Sequence, residues 1–311
     1  MPTWTNGKSL TFIAINIAFK VRDVCSNQTV GTIYEVISLD ISHSQAFKKF
    51  KNSIGQANHF LITILIGLDA LEDNPEICAR SDFKTTWNPA DRNKSISRSR
   101  DYVKNASLTW IIDSLDSYLQ SCNTKPKIIQ SEDLKKELDT SGHSVYKKYN
   151  TIVKYVEIDG VLSAFVDLGI CWRNNRVHSN AENKMLQESR DTLLENALMI
   201  KNNYCNLDVQ RTLKSFDENK SPTFKEVTSI TKAIICFVEQ IDRELIKKLS
   251  EKEYINEVFD FYINKQIDKK SFVSTLKNLE TNRRESKMKN IMGQYGITEF
   301  DEKLLDLDRY I

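Results

Sequence analysis

Apolar residues recur three and four positions apart along most of this chain, and that period predicts a helical architecture. Between Ser44 and Leu71, the positions Phe47, Phe50, Ile54, Leu61, Leu65 and Leu68 predict one long amphipathic helix. Its end, "FLITILIGL", is apolar all round, which predicts burial. The polar stretch that follows, "EDNPEICARSDFKTTWNPADRNKSISRSR", reads as a long loop with an Asn-Pro turn signal. From Arg100 to Cys122 a second helix offers Tyr102, Ala106, Ile112, Leu115 and Leu119 as its inner stripe. Ser131 and Gly142 bracket a short helix by capping logic, and Tyr149, Ile152, Val153 and Val156 carry another toward Asp159 and Gly160. Val161 to Trp172 then reads as a separate helical piece or a kinked continuation. Leu186, Leu193, Ala197 and Ile200 repeat at helical multiples, and Thr223 caps a long helix striped by Val227, Ile230, Ile234, Val238, Ile241 and Leu245. Near the start, Leu10, Ile13, Ala14, Ile17, Val21 and Val24 fit a helix while Ile13, Ile15, Ile17, Phe19 and Val21 alternate like a strand; the length of the pattern favours helix.

Composition agrees with that pattern. Only 9 Gly and 5 Pro punctuate 311 residues, which makes an all-α fold the expectation. Residues 1–249 read as one helical domain with an N-terminal extension, and 250–311 as a charged helical C-terminal extension. Lys and Arg number 44 against 42 Asp and Glu, a formal net charge of +2, so any affinity for nucleic acid has to come from local patches. The six cysteines are widely spaced and form no C-x-x-C pair, which reads as reduced thiols in a cytoplasmic protein rather than as disulfides or zinc ligands. The longest apolar run is too short to span a bilayer and the N-terminus lacks a signal-peptide pattern, so no membrane partner is expected. No Gly-rich phosphate loop, paired metal-binding carboxylates or serine-hydrolase motif stands out, and neither a cofactor nor a metal is expected.

The chemistry concentrates at residues 171–180, "CWRNNRVHSN", directly after the apolar run "VLSAFVDLGI". Val161 to Ile200 place it at a helix-to-helix junction or in the first turns of the second helix. The imidazole of His178 is a side chain suited to moving a proton. Arg173 presents a charged planar fork that matches a phosphate, and Asn174 supplies donors and acceptors to orient either group. Arg176 points at RNA or at solvent, and Trp172 stacks on a base or joins the core. On an ideal helix Arg173 and His178 lie about 140° apart around the axis, so convergence needs a helix start between them or a second copy of the site. The alternative is a solvated helix cap with no catalytic role. His43, His59 and His143 lack a matching acid or Cys arrangement and read as surface or capping residues. The basic runs from Arg92 to Arg100 and from Arg283 to Lys289 track an RNA backbone or form solvated faces.

The segment Arg173-Asn174-Asn175-Arg176-Val177-His178 resembles the R-x4-6-H signature of the HEPN superfamily, all-α domains found in many prokaryotic toxins and defence ribonucleases. Arg173 matches the family Arg, His178 the family His and Asn174 the polar residue that commonly follows the Arg. The strict resemblance covers residues 160–205, and a looser match of helix pattern covers 42–249. It implies a HEPN-like helical bundle with additional N- and C-terminal helices. It also implies metal-independent cleavage of RNA to a 2′,3′-cyclic phosphate by a homodimer whose motifs face each other, with Arg173, His178 and Asn174 as catalytic residues. An antitoxin or an activating protein is the further partner implied. One branch of the family carries a Tyr two residues after the His; Asn180 stands there in this chain, against that mode of control. The rival reading is a non-catalytic helical scaffold or sensor that binds a protein partner.

Overall fold

The structure, a computed structural model, describes residues 39–77, 82, 87–178 and 182–307. The ambiguous pattern of residues 10–25, together with Cys25, Cys78 and Asn180, lies outside them. Among the described residues the fold is all-α, with a single two-stranded sheet. In chain order come β1 (Leu39–Ile41), α1 (Gln45–Asp73), α2 (Arg92–Ser121), α3 (Glu132–Thr140), α4 (Val145–Tyr155), α5 (Gly160–Val177), α6 (Gln187–Glu195) and α7 (Ala197–Asn203). Next are α8 (Val209–Asp217), α9 (Phe224–Lys247), α10 (Glu251–Ile263), α11 (Lys269–Lys277), α12 (Thr281–Gly293) and β2 (Ile297–Phe300). Antiparallel pairing sets Asp40 opposite Glu299 and Ile41 opposite Ile297.

Helix starts fall where side-chain oxygens can accept orphan backbone N–H groups, each such cap contributing about 1 kcal/mol. Ser44, Asp91, Ser131, Ser144, Asp159 and Asp208 all do so. Thr223 opens α9 with a full capping box closed by Glu226. The core forms where α5 meets α2 and α9. Gly169 makes this approach possible: a Cβ there would stand 3.1 Å from Ile230 Cγ2 and 3.2 Å from Ile112 Cδ1. A buried carboxylate, Asp242 on α9, ties in the start of α1 by accepting from Ser44 N (2.8 Å), Ser44 Oγ and Tyr118 Oη (3.1 Å). Burial raises its pKa above the usual carboxylate value despite these bonds. Residues Ile37–Ile311 form one compact unit. Its later part is bonded to the earlier through Lys127 N to Glu257 Oε1 (3.0 Å) and Ser250 N to Gln130 Oε1 (2.7 Å).

Three sequence expectations are corrected here. Helix α2 begins at Arg92, capped by Asp91, so the last part of the expected loop, from Arg92 to Arg100, is helix. Its inner stripe runs through Val103, Leu108, Ile111, Ile112, Leu115 and Leu119, while Tyr102 is 74% exposed. Tyr102 and Ala106 lie about 140° and 180° around the axis from Leu115, near the middle of the buried arc, which carries them off the buried side. The apolar end of α1 is not buried either. Its buried residues stop at Leu61, and Phe60, Ile62, Ile64 and Ile66 are all exposed, because beyond Leu61 only one side of α1 is covered, with Leu65 and Leu68 packed half-buried against the core. With its flanks, α1 is long and apolar enough to cross a bilayer by length and composition, which the nine-residue run alone did not suggest.

Candidate functional site

Helix α5 carries the site. Asp159 accepts from Val161 N (2.8 Å) and Leu162 N (3.2 Å) to start it, and its middle is buried on all sides, as an apolar central helix must be. Even Asp167 is fully buried there; it accepts from Leu186 N (2.9 Å), which holds the start of α6. The Cys171 thiol is pushed up to about 12 by burial first and by the neighbouring Asp167 carboxylate, so it carries no thiolate near neutral pH. The helix reaches the surface only in its last turns, and those turns are the motif: Arg173 to Val177 end α5, with His178 as its C-cap. The motif therefore closes the first helix and does not open the second.

Each motif side chain meets a different part of the molecule. Trp172 is wholly buried, donates Nε1–H to Lys220 O (2.9 Å) and packs edge-on against Phe216. The expectation that it stacks on a base is overturned, because no face of the ring reaches solvent. Arg173 donates from Nη2 to Asp113 Oδ1 on α2 (2.6 Å) and from Nη1 to Asn174 Oδ1 (3.1 Å). Its Nε is buried without a partner. Asn174 also accepts, through its backbone oxygen, from His178 N (3.0 Å), so it touches both expected catalytic residues. Arg176 donates to Asn219 O (2.8 Å) and Ser221 Oγ (3.1 Å), which commits its fork to the loop before α9. The His178 ring is exposed and bonds to none of the described residues. Arg173 and His178 are not hydrogen-bonded to one another, as their angular separation on α5 requires.

Sequence reasoning missed two participants. Asp113 lies sixty residues before Arg173, on the outward side of α2, and nothing in its local pattern marks it. Asn175 is the second. Its side chain accepts from Asn183 N (2.7 Å) and donates to Asn183 O (2.9 Å), latching residues 182–186 to the end of α5. The basic runs are largely spent within the fold. Arg92 donates to Leu71 O, Asn74 O and Ile77 O, and Arg100 pairs with Asp69 and Glu72, together satisfying the C-terminus of α1. On α12, Arg284 pairs with Glu302 and Lys287 lies over Phe272.

Beside the motif runs an open groove of about 760 Å³ between α2 and the end of α5, whose lining includes Tyr102, Trp110, Asp113, Arg176 and Val177. Among the described residues no three His, Cys, Asp or Glu side chains gather where a metal ion would sit. No family model, curated protein or solved structure matches the chain.

Proposed function

We propose that this protein is a metal-independent endoribonuclease of the HEPN type, acting as a toxin or antiviral effector. The observation that carries the reading is the presence, at the exposed end of one helix, of a guanidinium fixed by Asp113 and Asn174 and of a His178 imidazole that bonds to none of the described residues. In the proposed reaction the RNA 2′-hydroxyl attacks the adjacent phosphorus, forming the 2′-O–P bond, and the P–O5′ bond breaks. One His178 accepts the 2′-hydroxyl proton and another donates a proton to the departing 5′-oxygen. Arg173 neutralises the charge that builds on the non-bridging oxygens, where a preorganised cation is worth most. Asn174 holds the guanidinium, and its backbone carbonyl fixes the turn that presents His178. Two motifs supply the acid and the base, so the reading needs a homodimer. RNA incubated with the protein and EDTA should be cut to 2′,3′-cyclic phosphate and 5′-hydroxyl ends. Activity surviving in a His178→Ala variant would remove the assigned role.

One observation favours a second reading, the non-catalytic scaffold or sensor. Trp172, Arg173, Asn175 and Arg176 all bond to other parts of the fold, as residues closing a helix end would. Expression toxicity separates the two readings: a nuclease loses it with His178→Ala, a change that removes no side-chain bond among the described residues, whereas a scaffold keeps its effect.

A further inference from the structure

We infer that a second copy of this chain seats on the face formed by Phe60 and Ile64 of α1, Tyr102 and Trp110 of α2, and Val177 at the end of α5. These side chains form one surface. Phe60 packs on Trp110 with ring centroids 5.8 Å apart, Ile64 is one turn beyond Phe60, and Tyr102, Trp110 and Val177 line the same groove. Phe60, Tyr102 and Trp110 are 46%, 74% and 42% exposed. At about 150–250 Å² per aromatic side chain, they leave roughly 300 Å² of ring in water. Ile64 and Val177 raise the patch to on the order of 450 Å², at the level where a surface reads as an interaction site. A standard interface takes about 800 Å² from each partner, a little over half of it apolar, which is the same amount.

The shape suits a twofold axis. The face holds both a ridge, Tyr102 and Trp110, and the groove of about 760 Å³ beside it, so each copy's ridge can fill the other's groove. Lipid is disfavoured as occupant because the arginines around the face, Arg173, Arg176 and Arg100, are already bonded within the fold and offer no free basic rim to phosphate headgroups. The choice of a copy over a different protein rests on the nuclease reading: one α5 splits Arg173 from His178, and Val177 lies on this face next to His178. A copy seated there brings a second α5 end toward Asp113, whose Oδ2 makes no bond to the described residues.

Two neighbouring isoleucines make the test specific. Ile64 and Ile66 are both exposed but point about 200° apart around α1, so only Ile64 belongs to the face. In sedimentation at micromolar concentration the wild-type chain should run as a dimer. Ile64→Glu should shift it to the mass of a single 36.0 kDa chain, with an unchanged thermal melt. Ile66→Glu should remain a dimer. A monomeric wild type overturns the inference, whether it then binds phospholipid vesicles or not. So does a dimer that survives Ile64→Glu, or one that both variants break. The same samples are assayed on RNA: a wild-type dimer, split by Ile64→Glu, that cuts no RNA refutes the nuclease and leaves the pairing surface standing. RNA cleavage by a monomer refutes both the pairing and the two-motif mechanism, and leaves only the cleavage activity standing.

Discussion

Replacing Trp172 with Phe separates a core role from a nucleic-acid role at one position. The indole donates a 2.9 Å hydrogen bond to Lys220 O, and Phe cannot. Leaving that carbonyl unpaired in a half-buried position costs about 1–3 kcal/mol. The smaller ring also leaves a void beside Phe216, adding about 1 kcal/mol because the surrounding helices relax only in part. Together the loss is roughly 2–4 kcal/mol. For a unit of this size 1 kcal/mol moves the melting temperature by about 2–4 °C, so Trp172→Phe should melt on the order of 4–16 °C lower. Urea unfolding followed by circular dichroism measures the loss without relying on tryptophan emission. RNA affinity, taken well below the melting range, should stay within about twofold. Stability unchanged within about 0.5 kcal/mol, combined with a tenfold loss of RNA affinity, would refute the burial argument.

Three further changes test other parts of the structure. Gly169→Ala places a methyl 3.1–3.2 Å from Ile230 and Ile112 and should cost about 1–3 kcal/mol despite its better helix propensity; adding Ile112→Val, which removes one contacted methyl, should recover part of that in a double-mutant cycle, and strict additivity would refute the contact. Asp242 has its folded pKa raised by burial, so its contribution is fully present below the unfolded value near 3.9 and is lost as pH rises through the folded value. The stability of Asp242→Asn relative to wild type should therefore climb as pH rises from about 3 to 7, and a difference that falls would refute the assignment. Asn175→Ala removes the acceptor of Asn183 N–H, and hydrogen exchange at that amide should accelerate by about tenfold or more, the equivalent of one lost hydrogen bond; unchanged exchange would sink the latch.

Where local chemistry dictates structure, the sequence was a good guide. Thr223 with Glu226 three residues on, and Ser131 with Gly142 beyond the helix end, are patterns whose bonds close within a turn, and α9 and α3 begin and end accordingly. The stripe of α9 is buried at every predicted position. Failures came where the deciding partner is distant. The apolar end of α1 reads as core, yet whether a helix is covered depends on what reaches it, and no buried residue of α1 lies beyond Leu61. Periodicity placed Tyr102 inward because a run of apolar residues tolerates more than one phase, and only the packing of α2 against α5 and α9 chooses between them. At the candidate site, the residue types and their spacing were legible. The anchoring of Arg173 by Asp113 was not, because it joins positions sixty residues apart.

The way the motif is stitched into its neighbours bears on how this protein would decay if selection for chemistry were relaxed. Trp172, Arg173, Asn175 and Arg176 each hold a separate neighbour, so a descendant that had lost the proposed chemistry would still need them to stay folded. The imidazole holds none of the described residues. On the proposed reading, inactive lineages should therefore keep the arginines and drift at position 178, which makes the histidine, and not the more conspicuous basic pair, the mark by which an active copy is told from a relic.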